Sequence, residues 1–324
     1  MKNKYAILLL FGIFLLALYC SVFYGGSGSL SWSDLNKGHF IFWEIRFPKT
    51  LTAILAGIAL PTAGLLLQVL FRNPLAGPYA LGISSGASLF VALSLLAVQG
   101  VGFGVFFGKS MLIASALSGS VLITLLLLAI SSRVRNNVLV LLIGLMISQI
   151  CSALLGALEY YAEPGNLKNF VLWGMGSLSG TNYTDVLVFF SFILVSFFML
   201  LYFIKPLNAL LLGNEYARSL GFNINRLRFF LILISSLLTG ICTAFCGPVA
   251  FVGLSVPILS RILFQTSRQE WHLLSGVLMG SSLLLFADAL SHNLLPDSSL
   301  PVNIITTLLG APVVLYLMFK NKQW

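Results

Sequence analysis

The sequence has very little charge, and this shortage excludes most soluble folds. Only 8% of the 324 residues are Asp, Glu, Lys or Arg, 58% are hydrophobic, and the mean hydropathy is +0.99. A soluble domain carries about a quarter of its residues as charges. Here the apolar residues form blocks of roughly 17–25 residues, long enough for a helix to cross a bilayer. Blocks such as 121–130 and 186–204 lack the alternation of barrel strands, so we expect helices.

Residues suited to catalysis or metal binding are also scarce. The three histidines are far apart in the sequence, and the four cysteines lie in apolar stretches, so neither set predicts a metal site. Gly108-Lys109-Ser110 is similar to the end of a phosphate-binding loop, but Phe103 stands where that loop needs an earlier glycine. We therefore expect no catalytic residues, no metal and no ATP hydrolysis by this chain.

Ten apolar segments predict an all-α, polytopic membrane protein with about ten transmembrane helices in a single domain, residues 1–324. Lys2 and Lys4 before the first apolar run are typical of a signal peptide, but Tyr19 precedes Cys20 where lipoprotein cleavage needs a small residue. We therefore interpret the first segment as a retained span. The predicted spans are 5–24, 50–71, 80–98, 110–131, 138–160, 184–204, 228–246, 252–265, 272–294 and 303–319.

The basic residues predict the orientation of the spans. With the N-terminus inside, only five of the 18 Lys and Arg residues fall in outer segments. These five are Lys37, Arg46, Lys49, Lys109 and Lys168. The prediction is that both termini are cytoplasmic, and this topology explains the net charge of +9 better than nucleic-acid binding does.

The inner loop 205–227 contains a short predicted helix between Gly213 and Gly221. Asn214 is its expected N-cap, and Gly221 is its expected stop. A small apolar face recurs at helical spacing on this wet loop. It consists of Leu212, Tyr216 and Leu220. Either the helix packs on its own bundle, or it docks into a cytosolic partner.

Charged residues are unusual near the outer face and inside a span, so these positions are candidate functional residues. Arg46 and Lys49 flank Pro48 on the outer side, where they either bind an acidic patch of a partner or contact lipid headgroups. Asp288 lies inside a span, where a carboxylate is costly. His292 stands one helical turn further on, so the pair forms either a docking or gating site or a buried packing contact.

Glycine and proline patterns add weaker signals. Gly82/Gly86, Gly176/Gly180 and Gly276/Gly280 are spaced for close helix packing. Breaks around 73–86 and 247–257 occupy comparable places in the two halves, a pattern that marks some transport pathways.

Several segments, in the same order, resemble the FecCD-type permeases of iron-siderophore, haem and cobalamin ABC importers. The most specific segment is Arg72-Asn73-Pro74-Leu75-Ala76-Gly77-Pro78. The others are Arg46 to Leu51, Gly64, Gln68, Leu81 to Ala87, Trp173 to Gly180, Gly213 to Gly221, Gly247 to Arg261, Ala287-Asp288, Leu300-Pro301 and Gly310 to Pro312. The resemblance covers nearly the whole chain after the first span.

The resemblance implies a subunit of a larger importer in the bacterial cytoplasmic membrane. Such permeases pair as dimers of identical or related copies, carry two ATPase subunits beneath them and receive substrate from an extracytoplasmic binding protein. ATP binds to the ATPase subunits, and the permease binds no cofactor directly. A short helix around 166–180 is implied at the outer mouth.

The resemblance also implies roles for particular residues. The implied ATPase-coupling residues are Gly213, Glu215, Ala217, Arg218, Leu220 and Gly221. The implied binding-protein docking residues are Arg46, Lys49 and His292. Asn73 and Leu75 correspond to the cytoplasmic gate, and Gln68 and Asp288 are the polar residues within the membrane.

Four positions depart from the usual family pattern. Ile258 replaces a usual His, His292 a usual Arg, Asn303 a usual Gly, and Lys49 a usual Arg. A lysine keeps the charge but loses the bidentate fork of arginine, and a histidine is only partly charged near neutral pH. We therefore expect docking to be weaker or differently arranged here.

Two other classes of function are the alternatives. A secondary transporter driven by an ion gradient would favour several carboxylates within the membrane, and Asp288 is the clear one here. A membrane scaffold would not need a coupling-type loop. Which of a siderophore, haem or a corrinoid is carried is left open by the sequence.

Overall fold

A computed structural model describes residues 2–24, 40–97, 108–134, 136–294 and 299–320, in which every regular element is a helix. In chain order the α-helices are α1 (Lys2–Tyr24), α2 (Phe47–Phe71), α3 (Ile83–Ala92), α4 (Gly108–Arg133), α5 (Asn137–Tyr160), α6 (Pro164–Gly174), α7 (Tyr183–Leu212), α8 (Asn214–Ser219), α9 (Ile224–Cys246), α10 (Val252–Phe264), α11 (Gln269–Asn293) and α12 (Val302–Lys320). Lys37 and Phe103, which were named above, lie outside the described residues, and so do His39, one of the three histidines, and Arg135, one of the basic residues assigned to the inner side.

The predicted spans correspond to helices of the structure. Among the described residues, seven helices are long and apolar enough to cross a membrane: α1, α2 with the turn before it, α4, α5, α7, α9 and α11. The segments containing α3, α10 and α12 form three shorter apolar helices. Each of the ten overlaps one predicted span, so the prediction of an all-α protein with about ten transmembrane helices is confirmed.

Helix α2 lies at the centre of the bundle and is buried along almost its whole length. It packs against α7, α9, α10 and α11. The contact with α11 is backbone to backbone, since a Cβ atom placed on Gly280 would lie 2.2 Å from the carbonyl oxygen of Gly57. The packing role predicted for Gly280 therefore agrees with the structure.

Two predicted boundaries were wrong. A π-helical turn, Ile41–Arg46, leads directly into α2, so the end of the predicted outer segment 25–49 is helical. Helix α7 continues through Pro206 to Leu212, although the sequence predicted loop from 205. Proline removes one backbone hydrogen bond, but Leu207 and Leu210 on the following turns are buried, and their packing offsets that loss.

The predicted short outer helix is present, and the predicted break before α10 is partly helical. Helix α6 matches the short helix expected around 166–180. The non-helical segment after Gly247 is shorter than the predicted break at 247–257, because α10 begins at Val252 and includes Pro257. Asn303 stabilises this non-helical segment, since its side-chain oxygen accepts a hydrogen bond from the N–H of Ala250 at 2.9 Å.

Candidate functional site

The predicted coupling segment forms a compact helix, α8, with a well-defined end. The N–H of Phe222 donates to the carbonyl of Ala217 at 3.1 Å, and the N–H of Gly221 donates to the carbonyl of Arg218 at 2.9 Å. These two bonds make a Schellman motif, which requires a left-handed residue after the helix. Gly221 has φ +85°, so the prediction that it stops the helix is confirmed. The prediction that Asn214 is the N-cap was wrong, because Gly213 occupies the N-cap position and Asn214 is the first residue of the helix.

The apolar face of the coupling segment points away from the bundle. Leu212, Tyr216 and Leu220 are 67%, 46% and 53% exposed. We call these three residues the α8 apolar face, although Leu212 is the last residue of α7 and Leu220 follows the last residue of α8. Glu215, Arg218 and Ser219 of the same helix are also exposed, and apolar side chains exposed among polar ones are typical of a protein contact. Packing of this face on its own bundle is therefore excluded for the described residues.

Two of the predicted coupling residues have other places in the structure. Ala217 is fully buried, so it holds α8 against the bundle instead of facing a partner. Glu215 and Arg218 form an exposed ion pair with an N–O distance of 2.7 Å, which contributes little to stability. Both charges remain accessible to a partner, and their coupling role stays a prediction.

The predicted gate residues form a tight turn after α2. The side-chain oxygen of Asn73 accepts a hydrogen bond from the N–H of Leu75 at 2.9 Å, which is an Asx turn. Leu75 is exposed and lines a cavity of about 420 Å³ between this turn and α5. The geometry leaves room for the turn to move, while the gating role itself stays a prediction.

Arg72 connects this turn to the coupling segment, and the sequence analysis did not identify it as a functional residue. Its guanidinium donates to the carbonyl of Leu210 at 3.1 Å, at the C-terminal end of α7. A cation at a helix C-terminus is favourable because the last carbonyls carry partial negative charge. Arg72 also has φ +48°, in the left-handed region, and is the residue at which α2 ends. Arg72 therefore links the turn at Asn73 and Leu75, which we call the gate turn, to the end of α7 just before α8.

Ile258, where the family usually has histidine, is part of the same inner region. It is buried against Val314 and also lines the cavity beside Leu75. An apolar side chain here makes the cavity wall more apolar than a histidine would. No polar group at position 258 is therefore available to a substrate or to the gate turn.

The outer basic residues are buried instead of exposed. Arg46 is 2% exposed and donates to the carbonyls of Val22 and Phe23 at 2.9 and 3.0 Å. These carbonyls are at the C-terminal end of α1, where a cation is favourable. Arg46 therefore ties α2 to α1 in this arrangement. Its burial argues against the predicted role as a docking charge, and against a lipid headgroup contact.

Lys49 and Asp288 form a buried ion pair. Lys49 Nζ lies 3.0 Å from Asp288 Oδ2, and the two side chains are 4% and 1% exposed. Ser21 Oγ donates to the same Asp288 oxygen at 3.0 Å, so α1, α2 and α11 meet at one carboxylate. Asp288 thus has the partner that a carboxylate inside a membrane requires. Lys49 is not accessible for docking in this arrangement, which argues against that prediction.

His292 is the most accessible member of this outer group. Its Nε2 lies 3.7 Å from Asp288 Oδ1, and its side chain is one-fifth exposed. Both residues line a cavity of about 220 Å³ near Ser177 and Pro301. The predicted i, i+4 pair is therefore present. Docking through His292 stays a prediction.

Gln68 is a structural link between two helices. Its side-chain nitrogen donates to the carbonyl of Leu254 on α10 at 3.1 Å, and the residue is 1% exposed. Its position inside α2 agrees with the prediction of a polar residue within the membrane. Among the described residues, no group of three or more His, Cys, Asp or Glu side chains is placed to hold a metal ion.

Comparisons with known proteins agree with this arrangement. The model of the FecCD transport family matches residues 7–320. The hemin transport system permease protein HmuU of Yersinia pestis is 36% identical over 305 residues, covering 92% of this chain and 90% of that protein. The vitamin B12 import system permease protein BtuC of Pectobacterium atrosepticum is 32% identical over 297 residues, covering 90% and 86%.

A solved structure has the same fold. It shows a metal-chelate type ABC transporter in an inward-facing conformation and superposes with a TM-score of 0.85 at 30% identity, covering 97% of this chain and 99% of that one. Both the family match and this superposition extend over nearly the full length. The chain therefore belongs to the FecCD transport family.

Proposed function

We propose that this chain is the membrane-spanning permease subunit of an ABC importer that brings an iron chelate, haem or a corrinoid into the cytoplasm. The family match over residues 7–320 supports the class of transporter. The names of HmuU and BtuC support this range of substrates. The observation on which the proposal depends is the exposed α8 apolar face at the inner end of the bundle.

The proposed energy source is a separate ATPase that docks on α8. The Schellman motif fixes the C-terminal end of α8 by two backbone hydrogen bonds. The Arg72 bond to Leu210 joins the base of α8 to the gate turn. A displacement of α8 by the ATPase would therefore be transmitted to Asn73 and Leu75, which we propose close the path on the inner side.

The proposed assembly contains two permease copies, identical or related, and two ATPase subunits. A substrate-binding protein delivers the cargo at the outer face, and both termini of this chain are cytoplasmic. The chain itself binds no cofactor. His292 is the docking residue that the geometry favours over Arg46 and Lys49, because it is the accessible one of the three.

A secondary transporter is less well supported by the arrangement of charges. Ion-gradient transport needs carboxylates that are able to exchange a proton or cation across the membrane. Asp288 already has Lys49 and Ser21 as partners on one oxygen. Its charge is thus balanced within the bundle, which favours a structural role.

The test is co-purification with a candidate ATPase subunit from the same organism, followed by uptake of haem, cobalamin and ferric siderophores in vesicles. We expect Leu220→Asp to abolish ATPase binding, because a charge replaces an apolar contact. Asn214→Asp is the matched control: it adds the same charge to α8 on the side opposite Tyr216 and leaves binding intact. Ala217 is unsuitable for this test because it is buried. Equal ATPase binding by the Leu220→Asp variant and wild type contradicts the proposal.

A further inference from the structure

The inner ends of α7 and α9 enclose a cavity that the transport proposal does not use. Its volume is about 530 Å³, and it is open toward the surface beside α8. Lys205 and Pro206 line it from α7, and Arg226 lines it from the first turn of α9. Tyr202 and Phe222 add aromatic walls. The lining therefore combines two cations with apolar rings.

The described residues provide no acidic counterpart to the two cations. Within the part of the chain that the structure describes, neither Lys205 nor Arg226 forms an ion pair, and no Asp or Glu lines the cavity. Both side chains are exposed. Two like charges at one cavity repel each other, and an anion bound between them removes that repulsion.

Helix geometry puts the two cations at the same membrane level. On α7, the ion pair of Asp185 with Lys109 marks the outer boundary, and Lys205 follows about 20 residues later, or roughly 30 Å. On α9, Arg226 precedes the outer end at Cys246 by about 20 residues, again roughly 30 Å. This distance is the thickness of the hydrocarbon core. Both cations therefore lie at the depth of the inner headgroups.

The face of α7 above the cavity is suited to acyl chains. Phe198, Leu201 and Tyr202 are all exposed, and with Lys205 they recur at helical spacing on one side of α7. A tyrosine just above a basic residue is the usual order at a membrane interface. A lipid with its chains along this stripe would place its phosphate beside Lys205.

We propose that this cavity binds the headgroup of an anionic phospholipid from the cytoplasmic leaflet. Lys205 and Arg226 flank the phosphate, and Tyr202 packs against the upper part of the acyl chains. Basic pockets between transmembrane helices on the cytoplasmic side are typical sites for such headgroups. The site lies between the bilayer and the coupling helix, so the bound lipid is distinct from the transported cargo.

Native mass spectrometry of the full chain in detergent tests the proposal with phosphatidylglycerol, phosphatidylcholine of the same acyl chains, and inorganic phosphate as probes. We expect phosphatidylglycerol to bind in preference to the other two. The Lys205→Gln/Arg226→Gln variant should bind it about thirtyfold more weakly, since each basic group contributes about a factor of five. The Arg133→Gln/Arg268→Gln variant removes the same charge from the inner side outside the cavity and should bind within twofold of wild type.

A charge-keeping variant separates loss of the site from loss of the fold. Lys205→Arg/Arg226→Lys should retain the phosphatidylglycerol adduct. Equal binding of phosphatidylcholine by wild type overturns the proposal without any variant. The proposal is also overturned if the Arg133→Gln/Arg268→Gln control loses as much phosphatidylglycerol binding as the cavity variant does. Inorganic phosphate that binds wild type as tightly as the lipid overturns it too. If Lys205→Gln/Arg226→Gln keeps the lipid but loses ATPase co-purification, the surface belongs to the ATPase and the proposal is wrong.

Discussion

The buried pair of Lys49 and Asp288 allows a quantitative prediction. We consider the Lys49→Met variant, which keeps the length and apolar stem of the side chain but removes the ammonium group. Among the described residues, Ser21 would then be the one remaining hydrogen-bond donor to the Asp288 Oδ2 atom. Among the described residues, this 1% exposed carboxylate would then have no permanently charged cation within ion-pair distance, because His292 is charged only when it is protonated.

The magnitude follows from the cost of a buried, unpaired charge. Removing one partner of a buried ion pair costs about 3–5 kcal/mol, whereas replacing both partners is often nearly neutral. For a chain of this size each kcal/mol lowers Tm by about 2 °C. We therefore expect Lys49→Met to lower Tm by about 6–10 °C. The double variant Lys49→Met/Asp288→Asn should recover most of that loss.

The assay is thermal unfolding of the purified protein in detergent, followed by intrinsic fluorescence. Lys109→Met is the matched control, because Lys109 pairs with Asp185 at an exposed position. An exposed pair contributes at most about 1 kcal/mol, so its Tm should fall by no more than about 2 °C. Equal decreases in Tm for the two single variants contradict this prediction, and so does a double variant with a lower Tm than Lys49→Met.

Three further predictions concern the inner region and the helix contact. Arg72→Met removes a charged hydrogen bond to Leu210, which contributes about 1.5 kcal/mol. The equilibrium between the linked and unlinked arrangements should therefore shift about tenfold toward the unlinked one, and transport per ATP hydrolysed should fall in vesicles. An unchanged ratio contradicts the link. Asn73→Ala removes the Asx turn, and the amide of Leu75 should exchange hydrogen about tenfold faster by mass spectrometry, whereas unchanged protection means the turn has another support. Gly280→Val forces the α2 and α11 backbones apart at a cost of about 1–3 kcal/mol or more, seen as a lower Tm; a wild-type Tm contradicts the close contact.

Local physical rules explain why much of this fold could be predicted. The spans were recognisable because any helix that crosses a bilayer needs about 20 apolar residues. The stop at Gly221 was predictable because a φ of +85° costs little only for glycine. The exposure of Tyr216 and Leu220 was predictable from helical spacing, whereas Leu212 ends α7 and is separated from α8 by the non-helical Gly213.

The burial of the outer charges could not be predicted, because their partners are distant in sequence. Arg46 binds carbonyls near Val22 on α1, and Lys49 binds Asp288 on α11. Both residues precede or begin a span in the sequence, where a basic residue is ordinarily exposed. The link from Arg72 to Leu210 joins residues 138 positions apart, so it also required the packed structure.

The central claim is that this chain provides a path but no source of energy, and that α8 receives the force from an ATPase. The most direct measurement is uptake of labelled haem, cobalamin or ferric siderophore into vesicles that contain this chain, its binding protein and ATP, with and without the ATPase subunit. The account predicts accumulation against a gradient only with the ATPase, and none when the chain carries Leu220→Asp. Accumulation against a gradient by this chain without the ATPase contradicts it.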